Sequence, residues 1–248
     1  MALIRLDELL VQRGLCATRK EAEAFVLAGR VYSDGKRLEK PGTQVKEGIS
    51  LEIESVECPY VSRGGLKLVH ALETFGVPVS GRVCLDIGCS TGGFTDCLLQ
   101  KGARHVFAVD VGYGLIDSKL RSDSRVTLLE RTNARNLKRA DFGKDSLELG
   151  VVDVSFISLT AVVPELHRAV GVAEWVCLFK PQFEVEPKFV QKGGIVSDEG
   201  AIQATLEMTK KAFEVSGLSE VSRPIRSPIA GKRSGNIEYF IHYRPLPS

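Results

Sequence analysis

Val83-Cys84-Leu85-Asp86-Ile87-Gly88-Cys89-Ser90-Thr91-Gly92-Gly93-Phe94 decides the fold. An apolar strand runs into a glycine turn, and a helix starts where the turn ends. Strands this apolar along their whole length are covered on both faces, which implies a parallel sheet between helices. Outward from this stretch the alternation repeats. Strand candidates are 106–110, 126–129, 149–154 and 175–179, with helical stretches between them. One long helix follows residue 198 and runs to about 216. Two late strands lie near 219–225 and 237–243. The expected fold class is α/β, Rossmann-like, with a mostly parallel seven-stranded sheet.

The turn itself selects a ligand class. Glycines let a backbone approach a ligand closely, and a helix start presents free N–H groups. A dinucleotide pyrophosphate needs Gly-x-Gly-x-x-Gly, whereas the glycines here are Gly88, Gly92 and Gly93. Asp86 at the strand end would repel a pyrophosphate and attract a ligand carrying an ammonium and a sulfonium. Asp110 ends the next strand, where an acid commonly takes two ribose hydroxyls. Together these residues imply S-adenosyl-L-methionine, cradled by Asp86, Gly88, Ser90, Thr91, Gly92, Gly93, Phe94 and Asp110. Glu130 and Asn133, after the third strand, are candidates for the adenine. Two plain strand-end caps are the alternative for the two aspartates.

Four further polar residues stand at element ends: Lys67, Asp153, Lys180 and Glu238. Carboxyl ends of parallel strands face the binding crevice, which places Asp153 and Lys180 beside the cofactor loop. A ribose hydroxyl must lose its proton to attack a methyl group, and a lysine can take it as general base. Two acids orient the lysines and balance their charge. This set does not suit attack through a cytosine carbon, which uses a cysteine nucleophile. The Asn-Pro-Pro-Tyr type of motif for an exocyclic amine is absent too. Each residue alone has a plain alternative, since strand-end lysines are usually solvated.

Residues 4–54 read as a small α+β module. Arg5 to Arg13 reads as a helix, with Leu6, Leu9 and Leu10 at helical spacing, and Gly14 ends it. Thr18 and Glu21 form a capping box for a second helix that runs to Gly29. Val31-Tyr32 with Asp34-Gly35 predicts a hairpin, and 51–54 alternate like an edge strand. Residues 55–60 read as the joint, with the boundary set between 58 and 59. The net charge of +2 is unremarkable, but its distribution is not. Residues 13–40 hold seven Lys/Arg against four Asp/Glu, and 223–244 hold five against one. Basic segments on a near-neutral chain suit a polyanion. RNA-contact candidates are Arg5, Arg19, Lys20, Arg30, Lys36 and Arg37. Arg223, Arg226, Lys232 and Arg233 could line an RNA channel, and Gly193 and Gly194 would let the loop 188–197 gate it.

The 248 residues are 44% hydrophobic and 26% charged, which excludes a disordered or fibrous chain. No apolar run approaches the roughly 18 residues of a spanning helix. The start, Met1-Ala-Leu-Ile-Arg-Leu-Asp-Glu, lacks a signal-peptide core. The chain therefore reads as cytoplasmic, without integral membrane association. Six cysteines show no Cys-x-x-Cys spacing and four histidines are scattered, so neither a disulfide framework nor a metal site is expected.

Five phrases then carry a resemblance. They are Tyr60-Val-Ser-Arg-Gly-Gly-Leu-Lys-Leu, the loop phrase from Leu85 to Leu98, Asp153-Val-Ser-Phe-Ile-Ser-Leu, Lys180-Pro-Gln-Phe-Glu and Gly235-Asn-Ile-Glu-Tyr. The chain resembles the TlyA family, hemolysin-like proteins with an FtsJ-like RNA methyltransferase domain, over nearly its whole length. The N-terminal module is similar to the alpha-L RNA-binding fold, through Arg5-Leu-Asp, Thr18-Arg-Lys-Glu-Ala and Gly29-Arg-Val-Tyr. Thr18 and Asp34 stand where that family often has serine and asparagine, and both keep the capping and turn roles.

The resemblance implies a Lys-Asp-Lys-Glu tetrad for ribose 2′-O-methylation at Lys67, Asp153, Lys180 and Glu238. The implied partner is ribosomal RNA in ribosomes or their subunits. The family's Gly-Tyr-Gly-Gln-Leu reads Gly112-Tyr-Gly-Leu-Ile here, so any role of that glutamine is missing. Two other readings stay open at this point: a non-catalytic RNA-binding or ribosome-assembly factor, and a hemolysin.

Overall fold

In the computed structural model, which describes residues 3–53, 58–231 and 235–246, the chain divides into two units, Met1–Glu57 and Cys58–Ser248. The first unit contains β1 (Leu3–Arg5), α1 (Leu6–Gln12), α2 (Arg19–Leu27), β2 (Val31–Ser33), β3 (Lys36–Arg37), β4 (Gln44–Lys46) and β5 (Glu52–Ile53). Its core is Leu6, Leu9 and Leu10 of α1 against Ala22 and Val26 of α2, closed by Val31 and Val45. β1 pairs with β4, and β3, β2 and β5 form a second small sheet. The hairpin turns on Asp34 (φ 46°) and Gly35 (φ 75°), the pair of positive φ angles that a type I′ turn requires.

Two local expectations change. α1 starts at Leu6 because residues 3–5 are held as a strand by β4. At α2 the Thr18 hydroxyl accepts from Glu21 N as expected, at 3.2 Å, but the Glu21 carboxylate takes Ala17 N, not Thr18 N.

The second unit starts with α3 (Gly64–Phe75), β6 (Val83–Ile87), α4 (Gly93–Gln100), β7 (His105–Val109), α5 (Ser118–Arg121) and β8 (Val126–Leu129). β9 (Leu149–Val152), α6 (Val163–Val170), β10 (Trp175–Phe179), α7 (Pro181–Glu184), α8 (Glu199–Val215), β11 (Leu218–Arg226) and β12 (Tyr239–Pro245) complete it. The seven strands are ordered β11-β12-β10-β9-β6-β7-β8, with β12 antiparallel to both of its neighbours. Every residue of β6, β9 and β10 is buried, as the apolar runs require. Alternate residues serve two cores: Val83, Leu85 and Ile87 join Leu166 and Phe213 on one face, and Cys84 joins Leu68 and Leu98 on the other. The chain leaves β6 toward β7 on one side and later adds β9 on the other. The crevice at such a switch point is where open α/β sheets bind ligands.

Strand ends differ from expectation by small steps that matter. β7 ends at Val109 and β9 at Val152, so Asp110 and Asp153 each stand just beyond their strand. Glu238 precedes β12 rather than lying within it. Among the described residues, all six cysteines are free, no His/Cys/Asp/Glu group could hold a metal ion, and no helix is long and apolar enough to cross a membrane.

At the opposite end of the sheet Glu174 is buried and ties three strands. Arg82 donates to it at 2.5 Å, Arg244 at 2.6 Å, and His242 Nε2 lies at 2.8 Å. Burial alone would push this carboxyl up; the hydrogen bonds from His242, Arg82 and Arg244 outweigh it and hold it at about 2. A lowered carboxyl stabilises the fold above its unfolded pKa, near 4.5, and that stability is lost as pH falls toward about 2. The shift corresponds to roughly 3 kcal/mol. Urea midpoints of Glu174→Gln should therefore fall less steeply than wild type between these two pH values. Parallel acid limbs in the two proteins would refute this role.

Candidate active site

The glycine loop closes on itself before it meets any ligand. Gly88 N and Cys89 N donate to Val109 O, and Gly92 N donates to Cys89 O at 2.7 Å. Gly88 has φ 83°, and a Cβ there would stand 2.5 Å from the Asp153 carbonyl oxygen. Only glycine lets the loop pass that close to the end of β9. Gly93 does the same for two helices: a Cβ would stand 2.1 Å from Ser62 Oγ, so the starts of α3 and α4 can cross. That crossing fixes α3, which carries Lys67.

Beside the loop lies a cavity of about 340 Å³ whose wall includes Gly88, Ser90, Asp110, Asn133 and Asp153. Asp110 is braced by two backbone donors, Ser90 N at 2.8 Å and Gly112 N at 2.7 Å. Asn133 Oδ1 accepts from Arg135 N at 3.1 Å.

Other predicted contacts sit elsewhere. Asp86 is fully buried beneath the loop. Thr95 Oγ1 donates to its Oδ2 at 2.6 Å, and its Oδ1 has no hydrogen-bond partner among the described residues. Burial pushes this carboxyl up to about 7 against the Thr95 hydrogen bond, and the charges of Asp153 and Asp110 add to the rise. Thr91, Gly92 and Gly93 are not in the cavity wall. Phe94 packs on Phe240, with ring centroids 6.2 Å apart, as part of the core. Glu130 is spent on Arg121 and Gly114 N, both at 2.6 Å, and does not line the cavity. Its hydrogen bond to Arg121 lowers its carboxyl.

The four chemical residues come together as two ion pairs. Lys67 Nζ lies 2.5 Å from Glu238 Oε2, and Lys180 Nζ lies 2.5 Å from Asp153 Oδ1. Lys180 Nζ also donates to Ser155 Oγ at 3.1 Å. Phe179 pairs with Tyr239 across β10 and β12. Lys180 and Glu238 are the next residues outward on each strand, so the two pairs stand side by side. Asp153 belongs to the cavity wall, which puts this row of charges at the cavity's edge.

The sequence reading missed the groups that hold this row. The loop after β9 forms one side of the cavity with Val154, Ser155, Phe156 and Ile157. Glu184 of α7 accepts from Ser158 Oγ at 2.6 Å and from Leu159 N at 2.9 Å. Buried Asn236 donates to Gln182 Oε1 (3.0 Å) and Gly194 O (2.7 Å), and accepts from Val196 N (2.9 Å). That clamp holds the segment expected to gate the site, despite the positive φ of Gly193 and Gly194. The signal was present: Glu184 and Asn236 are polar residues inside the phrases that carry Lys180 and Glu238.

The basic candidates of the first unit separate into two groups. Arg5 and Arg19 both grip Asp7, at 2.7 and 3.1 Å, and Glu8 and Glu23 flank them. Asp7 is fully buried, and its hydrogen bond from Arg5 lowers its carboxyl. Two cations against three anions leave no net positive charge there, and both arginines pair with a carboxylate of the fold. Lys20, Lys36 and Arg37 are exposed, Arg37 being 3.6 Å from Glu39, and the Arg30 guanidinium lies 4.8 Å over Phe25. In the second unit Arg223 and Arg226 are exposed on β11, with Arg226 3.5 Å from Glu199. Lys232 and Arg233 lie outside the described residues.

Two family models match the chain: FtsJ-like methyltransferase over residues 60–244 and S4 domain over residues 4–48. The 16S/23S rRNA (cytidine-2'-O)-methyltransferase TlyA of Mycobacterium tuberculosis is 45% identical over 243 residues, 97% of this chain and 89% of that protein. Hemolysin A of Brachyspira hyodysenteriae is 41% identical over 241 residues, 97% of this chain and 99% of that protein. A solved structure of a Streptococcus thermophilus protein, described as a candidate hemolysin, superposes with a TM-score of 0.78 at 39% identity. It covers 100% of this chain and 90% of that one. The chain belongs to the TlyA family of FtsJ-like methyltransferases, with an S4 domain ahead of the methyltransferase domain.

Proposed function

We propose that this enzyme transfers a methyl group from S-adenosyl-L-methionine to a ribose 2′-hydroxyl of ribosomal RNA, with residues 59–248 as the catalytic domain and 1–58 as the RNA-binding one. The observation that carries the reading is the row of two Lys–acid pairs at the edge of a cavity walled by Asp110 and Asn133. The M. tuberculosis relative, named for a cytidine 2'-O-transfer to rRNA, supports the same acceptor.

The residues fit the cofactor. Gly88 leaves room for a close approach, Asp110 offers a braced carboxylate to two ribose hydroxyls, and Asn133 lies within reach of the adenine. Asp86, which does not line the cavity, keeps beneath the loop a buried oxygen with no hydrogen-bond partner among the described residues, and would act on the positive charge of the donor only across the loop. Bound there, S-adenosyl-L-methionine supplies an electrophilic methyl group on sulfur. The protein aligns the acceptor and takes its proton. In its neutral form Lys180 Nζ would accept the proton of the 2′-hydroxyl, while the methyl group would pass to that oxygen and the electron pair of the broken C–S bond would stay on sulfur. Asp153 and Ser155 fix that nitrogen, and the Lys67–Glu238 pair holds the acceptor side. Ribosomal subunits given this protein and donor carrying a labelled methyl group should acquire label in rRNA; unlabelled RNA would overturn the proposal.

Docking of RNA rests on the exposed cations of the first unit. Each phosphate contact removed should weaken rRNA binding and reduce its log–log salt slope by about 0.7 to 0.9. Lys20→Ala and Lys36→Ala should do this in filter-binding assays across a salt series. Arg19→Ala should instead lower thermal stability, because it leaves buried Asp7 with one partner fewer. Unchanged slopes for both lysine variants would exclude this face as the RNA contact.

A further inference from the structure

We infer that Glu184 is a positioning residue of this site, locking the segment 153–159, whose first five residues line the cavity, to the helical turn that starts at Lys180. The inference rests on the reading above and extends it to a residue that touches neither cofactor nor acceptor.

Three ties join these two segments. At one end Lys180 Nζ reaches Asp153 Oδ1 (2.5 Å) and Ser155 Oγ (3.1 Å). In the middle the Phe183 ring lies 5.0 Å from that of Phe156. At the other end both Glu184 oxygens are used, Oε2 by Ser158 Oγ (2.6 Å) and Oε1 by Leu159 N (2.9 Å). Ser158 Oγ accepts in turn from Thr160 N at 3.2 Å, which continues the lock into the next turn.

The wall needs holding. Phe156 sits at φ 65°, in the left-handed region, and is 80% exposed. A bulky residue keeps that conformation only where its surroundings over-determine it. Glu184 supplies the two hydrogen bonds immediately downstream. Burial raises its carboxyl against the lowering hydrogen bonds from Ser158 and Leu159, so the acid sits here at an electrostatic cost and is not a solvated surface group.

Lys180 and Glu184 are four residues apart on one short turn, α7, with Lys180 as its N-cap. A shift of the wall therefore moves Asp153 and Ser155 relative to the lysine nitrogen. Misplacement of a catalytic group by about 1 Å costs on the order of 100-fold in rate. The cofactor cavity has walls from other elements, notably Asp110 and Asn133, so affinity should change less than rate.

The test compares Glu184→Ala, Glu184→Gln and Ser158→Ala with wild type in the full chain. The readouts are kcat for methyl transfer to rRNA and calorimetric affinity for S-adenosylhomocysteine. Glu184→Ala should lose roughly 10- to 100-fold in kcat with a much smaller loss of affinity. Glu184→Gln should restore most of the rate, because its carbonyl accepts from Leu159 N and its amide donates to Ser158 Oγ. Ser158→Ala, which keeps the Leu159 tie, should fall between them, and adding it to Glu184→Ala should cost little more. A Glu184→Ala enzyme with wild-type kcat per folded molecule overturns the inference, as does a glutamine variant as slow as the alanine one. If wild type neither binds S-adenosylhomocysteine nor transfers methyl, the proposed function falls and takes this inference with it. Should Glu184→Ala fail to fold, Ser158→Ala against Glu184→Gln decides.

Discussion

Replacing Lys180 by alanine should slow methyl transfer to rRNA by about 100- to 10,000-fold, the range for a lost general base, while affinity for S-adenosylhomocysteine stays near wild type. The fold should survive the change. Asp153, the partner left behind, is about a quarter exposed, so water can solvate its carboxylate. Lys180→Arg sharpens the test. Arginine keeps the charge and can reach Asp153, but it cannot be deprotonated in proteins. It should therefore be nearly as slow as alanine. An arginine variant with near-wild-type rate would show that position 180 needs a positive charge, not a proton acceptor. Single-turnover rates measured with excess enzyme separate this from product release.

Asp110→Ala should cost roughly 100-fold or more in affinity for S-adenosylmethionine and its demethylated product. Its carboxylate braces Ser90 N and Gly112 N, so its loss releases both loops of the cavity wall. It also removes the acceptor assigned to the ribose hydroxyls. A hydrogen bond to a charged group contributes about 1.5 to 3 kcal/mol, so two of them amount to at least about 100-fold. Calorimetric titration of the product analogue reads this directly. Saturating donor should recover much of kcat, unlike Lys180→Ala, because the chemical groups stay in place. Unaltered affinity in Asp110→Ala would move the ribose elsewhere.

The parallel sheet was legible because its strands are mostly apolar runs: β6, β8 and β10 begin and end where the pattern predicts. Strand ends with polar residues were less clear. Asp110, Asp153 and Glu238 lie just outside the strands they were read into, since a side chain aimed into a crevice follows a strand as readily as it closes one. β1 and β4, three residues each, escaped notice because a run that short has no measurable period. Lys67 and Glu238 are 171 positions apart and meet at 2.5 Å, a contact no local pattern carries. The same limit hid Glu184 with Ser158 and Asn236 with Gln182, where side chains cross between loops. The ion pairs of Arg5 and Arg19 were hidden too, because a charge count does not see that Asp7 is buried between them.

The position of the methyl group tests the central claim most directly. Ribosomal RNA treated with this protein and labelled S-adenosylmethionine should be digested to nucleosides and separated. Label is expected only in a 2′-O-methylated nucleoside, and is expected to be lost with Lys180→Ala. Label in a base-methylated nucleoside, or undiminished ribose label with Lys180→Ala, would contradict it.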